Sequence, residues 1–467
     1  MSERLRLLLR SLIAVSLLSV FAAGCGSMAT RKGFYEPIAQ ELETGNYDQV
    51  VARLEQARAE GKYGEKDRVV YYVDAGMAYH YAGNYDTSNA RLQAAETAAE
   101  DLFTKSISKA ALSIILNDNA LDYAGEDYEV LYTNLIGALN YIAADDYESA
   151  FVEIRRANLK LDVLNQKYAD AATQFRRGAA QDSNKVDIDY EAKQVRFQNS
   201  AFARYLSMRM YAAQGKRGDA ELDYELLHHA FETQPFIYDF APPDVKFESD
   251  GGAILSVVAL VGLSPVKESL SLRLRTDKDL DLVQILYDDP NNPAQYGHLP
   301  LKVNEDYYFK FAIPQLVDRP SAVSHVNVHV DGQFLGQLQL LEVVGRVARE
   351  TFEAKKSLIY LRSVARAVVK GLLAHRQKEK ADTGGLGGWL KKAAIDVAMD
   401  VSENADLRCA RLLPGRILVG DFVVPSGEHD VRIEVIDQAG QAIAVKTFSR
   451  YPILEGRANL LEAVAPR

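Results

Sequence analysis

Over residues 31–235, apolar positions recur at helical spacing, in paired runs split by short polar turns. Gly45-Asn46-Tyr47-Asp48 returns as Gly83-Asn84-Tyr85-Asp86 and, more weakly, as Asp145-Asp146-Tyr147-Glu148; Gly215-Lys216-Arg217-Gly218-Asp219 takes a similar place. Such spacing predicts helix–turn–helix units that bury their apolar faces only by stacking. The copies are unevenly spaced, so extra helices are expected near residues 102–125 and 163–198.

Beyond Ala241-Pro242-Pro243-Asp244 the period changes to two. Residues 254–261 are apolar but for Ser256, the pattern of a buried strand. Leu270, Leu272 and Leu274 alternate with Ser269, Ser271, Arg273 and Arg275, the pattern of a half-buried one. Ser324 to Val330 alternates likewise, and Asp331-Gly332 turns it into residues 333–338, a hairpin signal. Further strands are expected at 280–287, 303–312, 416–424, 430–437 and 441–449. A helical pattern interrupts them at about 343–379. The Gly384-Gly385-Leu386-Gly387-Gly388 break follows it, then a shorter helix from Trp389 to Val401.

The second helical unit resembles a tetratricopeptide repeat. Tyr72, Gly76 and Tyr79 fall on its first helix, Gly83 and Tyr85 in the turn, and Ser88, Leu92 and Ala95 on its second. Small residues at 76, 88 and 95 let the helices approach, and the larger ones fill the gaps. The expected fold class is α+β: a tetratricopeptide-like helical array, then a β-sandwich-like domain with a helical insertion. The expected divisions are a signal peptide at 1–24, helical repeats at 25–240, β-rich parts at 247–342 and 403–467, and the insertion at 343–402. Nineteen of the 25 tyrosines precede residue 241. Tyr71, Tyr81, Tyr123, Tyr128 and Tyr132 are not required by the repeat pattern and are candidates to face a partner in a concave groove. Packing between helices is the competing reading for each.

Arg4, Arg6 and Arg10 precede an apolar stretch, Leu12 to Ala23, of signal-peptide length. It ends in Phe21-Ala22-Ala23-Gly24-Cys25, which resembles a bacterial lipobox. The resemblance implies cleavage before Cys25 and its acylation, hence stable anchoring in lipid, since each buried methylene contributes ~0.8 kcal/mol. Gly26 in place of an aspartate points to the outer membrane, by resemblance to enterobacterial lipoproteins. The formal charge of -10 argues against nucleic-acid binding, which needs clustered Lys and Arg. With two cysteines, Cys25 and Cys409, a disulfide framework is excluded.

The chain also resembles an uncharacterised family of bacterial outer-membrane lipoproteins with tetratricopeptide repeats. The resemblance is carried by Cys25, by Asn134-Leu135-Ile136-Gly137-Ala138-Leu139-Asn140-Tyr141, and by Asp146 through Asn158. Gly262-Leu263-Ser264-Pro265-Val266-Lys267 and Ala405-Asp406-Leu407-Arg408 extend it, with Cys409 where an aromatic is usual. It implies a lipid-anchored envelope protein facing the periplasm and no reaction. The expected function is a scaffold that docks other envelope proteins, in cell-wall or export assembly. The alternatives are a serine-dependent enzyme of penicillin-binding type and a purely structural lipoprotein.

Candidate chemistry is sparse, and no catalytic residue, metal or cofactor is assigned. Ser264-Pro265-Val266-Lys267 matches the Ser-x-x-Lys of penicillin-binding enzymes, with Ser402-Glu403-Asn404 and Lys446-Thr447-Phe448 in order, but Pro265 and the missing glycine weaken it. Ser106-Ile107-Ser108-Lys109 shows how readily that pattern recurs. Asp277, Asp279 and Asp281 begin like a calcium loop, yet Leu282 and Asp288 stand where Gly and Glu are needed. His325 and His329, four residues apart on one strand face, are ~13 Å apart, too far to share a metal; His228 and His229 diverge on a helix. Cys409 reads as a buried, inert thiol. Trp389, Lys391 and Lys392 could touch lipid headgroups or pack on the sheets.

Overall fold

The computed structural model describes residues 32–112, 118, 121–181, 194–249, 251–277, 279, 282–288, 295–300, 308–380 and 404–467. The expected lipidation site at Cys25, the Gly-rich break and the helix from Trp389 lie outside them.

Among the described residues eight α-helices come first, packed in pairs: α1 (Lys32–Thr44) with α2 (Tyr47–Ala59), α3 (Arg68–Tyr81) with α4 (Tyr85–Leu112), α5 (Asp127–Ala143) with α6 (Tyr147–Gln181), and α7 (Ala201–Ala213) with α8 (Arg217–Thr233). The recurring turn motif has one geometry. Gly45, Gly83, Asp145 and Gly215 all have positive φ, between 56° and 77°. At each, the backbone N–H groups of the turn residue and its successor bond back three and five residues, as in Asp145 N to Ile142 O (3.0 Å) and Asp146 N to Tyr141 O (2.9 Å). These bonds satisfy the last carbonyls of the first helix. Glycine suits the left-handed position because it lacks a Cβ, and aspartate tolerates it.

The pairs approach closely where small residues were expected. A Cβ on Gly76 would lie 2.5 Å from Leu92 Cδ2, and Ser88 Oγ donates to Gly76 O at 2.8 Å. Of the stretches 102–125 and 163–198 where extra helices were expected, residues 102–112 and 163–181 continue α4 and α6, which run 28 and 35 residues; residues 113–117, 119–120 and 182–193 lie outside the described residues.

Twelve strands follow among the described residues. They are β1 (Ala253–Val261), β2 (Val266–Asp277), β3 (Leu282–Tyr287), β4 (Gln295–Pro300), β5 (Tyr308–Val317), β6 (Val323–Val330), β7 (Gln333–Gln337), β8 (Gln339–Val343), β9 (Arg416–Val424), β10 (Gly427–Asp437), β11 (Ala442–Ile453) and β12 (Leu460–Ala465). Helix α9 (Val344–Lys380) is inserted between β8 and β9. The strands make three sheets, ordered β12-β1-β9-β8, β11-β10-β6-β7 and β4-β3-β2-β5. The overall class is α+β, helices first and sheets after.

Strand β1 explains the layering. All nine of its residues are buried. Leu255, Val257 and Ala259 share a core with Val326, Val328, Ile433 and Val435 of the second sheet. Val258 and Leu260 share another with the helices. A strand covered on both faces needs a nearly continuous apolar run, and in its sequence Ser256 alone is polar. Its neighbours are antiparallel β9 and parallel β12, Ser256 standing opposite Leu460. The helical core thus continues past the expected boundary near residue 240 into the first sheet.

Candidate functional site where helices meet sheets

The five candidate tyrosines are all buried, between 0% and 6% exposed, so none faces a groove open to solvent. Their hydroxyls are spent inside the molecule. Tyr71 donates to Glu55 (2.7 Å), Tyr81 to the carbonyl of Leu412 (2.6 Å), Tyr123 to Glu129 (2.9 Å), Tyr128 to Glu129 (3.5 Å) and Tyr132 to Glu342. The expectation that they line a partner's groove is therefore corrected: Tyr71 packs among the helices, and the face toward which the other four turn is filled by the protein's own C-terminal half.

The filling element is an irregular, extended stretch, residues 404–415. The helices read its backbone. Glu129 accepts from Ala410 N (2.7 Å), and Asp74 accepts from Arg411 N (2.7 Å) and Leu412 N (3.1 Å). Arg408, 2% exposed, pairs with Asp67 (2.9 Å) and with Asp406 (2.7 Å), and its guanidinium lies 5.2 Å from the Tyr123 ring centre. Arg319 donates to the carbonyls of Ser264 and Arg411, both at 2.6 Å. Carboxylates on backbone N–H groups and donors on carbonyls are how an extended peptide is held by any receptor; here receptor and peptide are one chain.

The sheets reciprocate. Glu342 (β8), Asp421 (β9) and Glu462 (β12) point from the first sheet into the helices. Glu342 accepts from Tyr132, Tyr238 (2.7 Å) and Ser200 (2.9 Å). Asp421 accepts from Tyr205 (2.9 Å), Ser256 (2.7 Å) and Lys246 N (2.8 Å). Glu462 meets His80 Nε2 at 2.7 Å. The other ring nitrogen of His80 lies 2.6 Å from Asn140 Oδ1, and Asn140 Nδ2 donates to Ser88 and Asn89, which fixes the amide's orientation. Both ring nitrogens face acceptors, an arrangement that favours the imidazolium. Burial opposes that charge, but Glu462 outweighs it and the pKa is raised.

Burial dominates the neighbouring carboxyls. It pushes Asp74 up to about 6, against the pull of the N–H donors. It pushes Glu129 up to about 7, helped by the charge of Glu126. At Asp406 burial is overridden by Arg408, which holds the carboxyl down at about 2. Glu126 contacts Lys267 and lies 2.9 Å from Lys355.

The Ser-x-x-Lys pair sits in this junction. Ser264 is fully buried and its hydroxyl has no hydrogen-bond partner among the described residues. Burial would lower Lys267, but Glu126 and then Asp406 raise it, so it stays protonated. A base for Ser264 would have to be neutral. Ser402 and Glu403 lie outside the described residues, and Lys446 is on β11 of the second sheet. Cys409 is fully buried, and burial pushes its thiol up. His329 lies 3.3 Å from Glu434, His228 packs edge-on against Tyr224, and Asp279 N bonds back to Asp277 (3.0 Å). Among the described residues, no three His, Cys, Asp or Glu side chains are grouped to hold a metal, and no helix is long and apolar enough to cross a membrane.

Glu342, Asp421, Glu462 and His80 were missed by sequence reasoning. The available signal was a lone carboxylate inside an apolar strand, as in Ile417-Leu418-Val419-Gly420-Asp421-Phe422-Val423-Val424. No protein-family model, curated protein or solved structure matches the chain.

Proposed function

We propose that the protein is a lipid-anchored scaffold of the outer membrane, facing the periplasm, that docks other envelope proteins in cell-wall or export assembly. Arg4, Arg6, Arg10 and the lipobox ending at Cys25 support the address. In this reading the helices are a tetratricopeptide-type array and the first two sheets a β-sandwich. The observation that carries the scaffold reading is the shared core. Val258, Leu260, Leu412 and Val419 pack in one cluster with Val70, Leu135 and Leu206, so array and sheets form one body. A body braced in this way presents its outer surfaces in fixed relation, as a scaffold requires. The enclosed Ser264 and the protonated Lys267 give the serine-enzyme alternative no support.

The test is crosslinking in cells of the tagged full chain against a Cys25→Ala control, read by mass spectrometry. A defined envelope partner, lost in the control, is expected. Background equal in both samples would overturn the docking role and favour the purely structural alternative.

A further inference from the structure

The inner face of the array is occupied, which directs attention to the outer one. Three large apolar side chains stand exposed on one side of α6: Val152 (40%), Leu159 (61%) and Val163 (48%). Arg155, Arg156, Asp162 and Gln166 are exposed beside them. These positions stand three, four and seven residues either side of Leu159, the spacing of one helix face. Beside this ridge a groove of about 520 Å³ runs between α4 and α6, with Gln93, Thr97 and Glu100 on its far wall.

The face complements itself when reversed. A two-fold axis through Leu159 sets that residue against its own copy. It also sets Arg156 against Asp162, Arg155 against Val163 and Val152 against Gln166. Two Arg–Asp pairs then flank an apolar centre, whereas a parallel arrangement would oppose Arg156 to Arg156. The charges are available. Arg156 keeps 46% of its side chain exposed while touching Glu96 (3.2 Å) and Glu153 (3.4 Å), and Asp162 makes no ion pair among the described residues. Patches that complement themselves about a two-fold axis are what symmetric dimers use.

We propose that this face of α6 is the docking site for a second copy of the chain, the two helices running antiparallel with Leu159 at the axis. The inference stands independently of the anchoring proposal.

The test is disulfide trapping of the full chain in cells with Leu159→Cys, under a mild oxidant and read on non-reducing gels. The chain without the substitution reports any contribution from Cys25 and Cys409. Leu222→Cys, at an equally open position on α8 (53% exposed), is the control for random collision. A covalent homodimer is expected for Leu159→Cys and not for Leu222→Cys. Adding Arg156→Asp should remove the dimer, and adding Asp162→Arg to that variant should bring it back. All these side chains are at the surface, so the variants should fold. The proposal is overturned if Leu159→Cys stays monomeric, if it crosslinks no more than Leu222→Cys, or if it is trapped on a different protein.

Discussion

The two sides of the helical array use opposite chemistry. On the inner side Asp74 and Glu129 accept bonds from residues 410–412, and His80, Tyr81 and Tyr132 reach across to the C-terminal half. On the outer side α6 leaves Val152, Leu159 and Val163 in water with charges beside them. A buried polar group must find its partner within the molecule, so the inner side tolerates little change. The outer side is free to be selected for what it touches.

The sharpest way to break this contrast is Arg408→Ala. It strands Asp67 and Asp406 in a site closed to water, and removing one partner of a buried pair costs about 3–5 kcal/mol. The expected outcome is a matching drop in unfolding free energy in urea. A change under about 1 kcal/mol would mean the junction is wetter than its geometry.

The pH response comes next. Asp74 and Glu129 have pKa values raised in the fold, so they contribute stability below their unfolded values, and that stability is lost as pH rises through about 6 and about 7. His80 is also raised, so its contribution is lost as pH rises through its folded value. All three act in one direction. The protein should melt at a higher temperature at pH 5 than at pH 8: above pH 5 about one unit of the Asp74 shift remains to be lost, about 1.4 kcal/mol, and about two units of the Glu129 shift, about 3 kcal/mol. Glu129→Gln should flatten the slope.

Smaller again is Gly76→Ala. Its new methyl meets Leu92, and overpacking of this kind costs about 1–3 kcal/mol. The smallest effect should be Leu159→Ser on the outer side, which should move stability by no more than about 0.5 kcal/mol while abolishing self-association in sedimentation.

The contrast also shows what a sequence discloses. The turns at Gly45, Gly83, Asp145 and Gly215 were legible because their chemistry lies within a few residues. The strand at 416–424 was legible for the same reason, its apolar run needing no knowledge of its partner. Strands β4, β8 and β12 were not. Leu460 to Ala465 is a short piece whose identity as a strand depends on lying parallel to β1. The junction was less legible still, since Glu342 draws on Tyr132, Ser200 and Tyr238, which lie 210, 142 and 104 residues before it. The excess of tyrosines is plain in the sequence, but the direction in which they face is not. Nothing local says that the stretch around Arg408 closes the face they point into.

The placement of β1 also sets a timetable. Eight of its nine residues are apolar, and both of its neighbours, β9 and β12, are translated long after it. A nascent chain therefore carries an unpaired, sticky segment from residue 261 until residues 416–424 and 460–465 are made, the state in which chains aggregate or are taken up by chaperones. Its assembly is governed by contacts between residues far apart in sequence, which form slowly. A cell making this protein must shelter that segment until the last strand arrives.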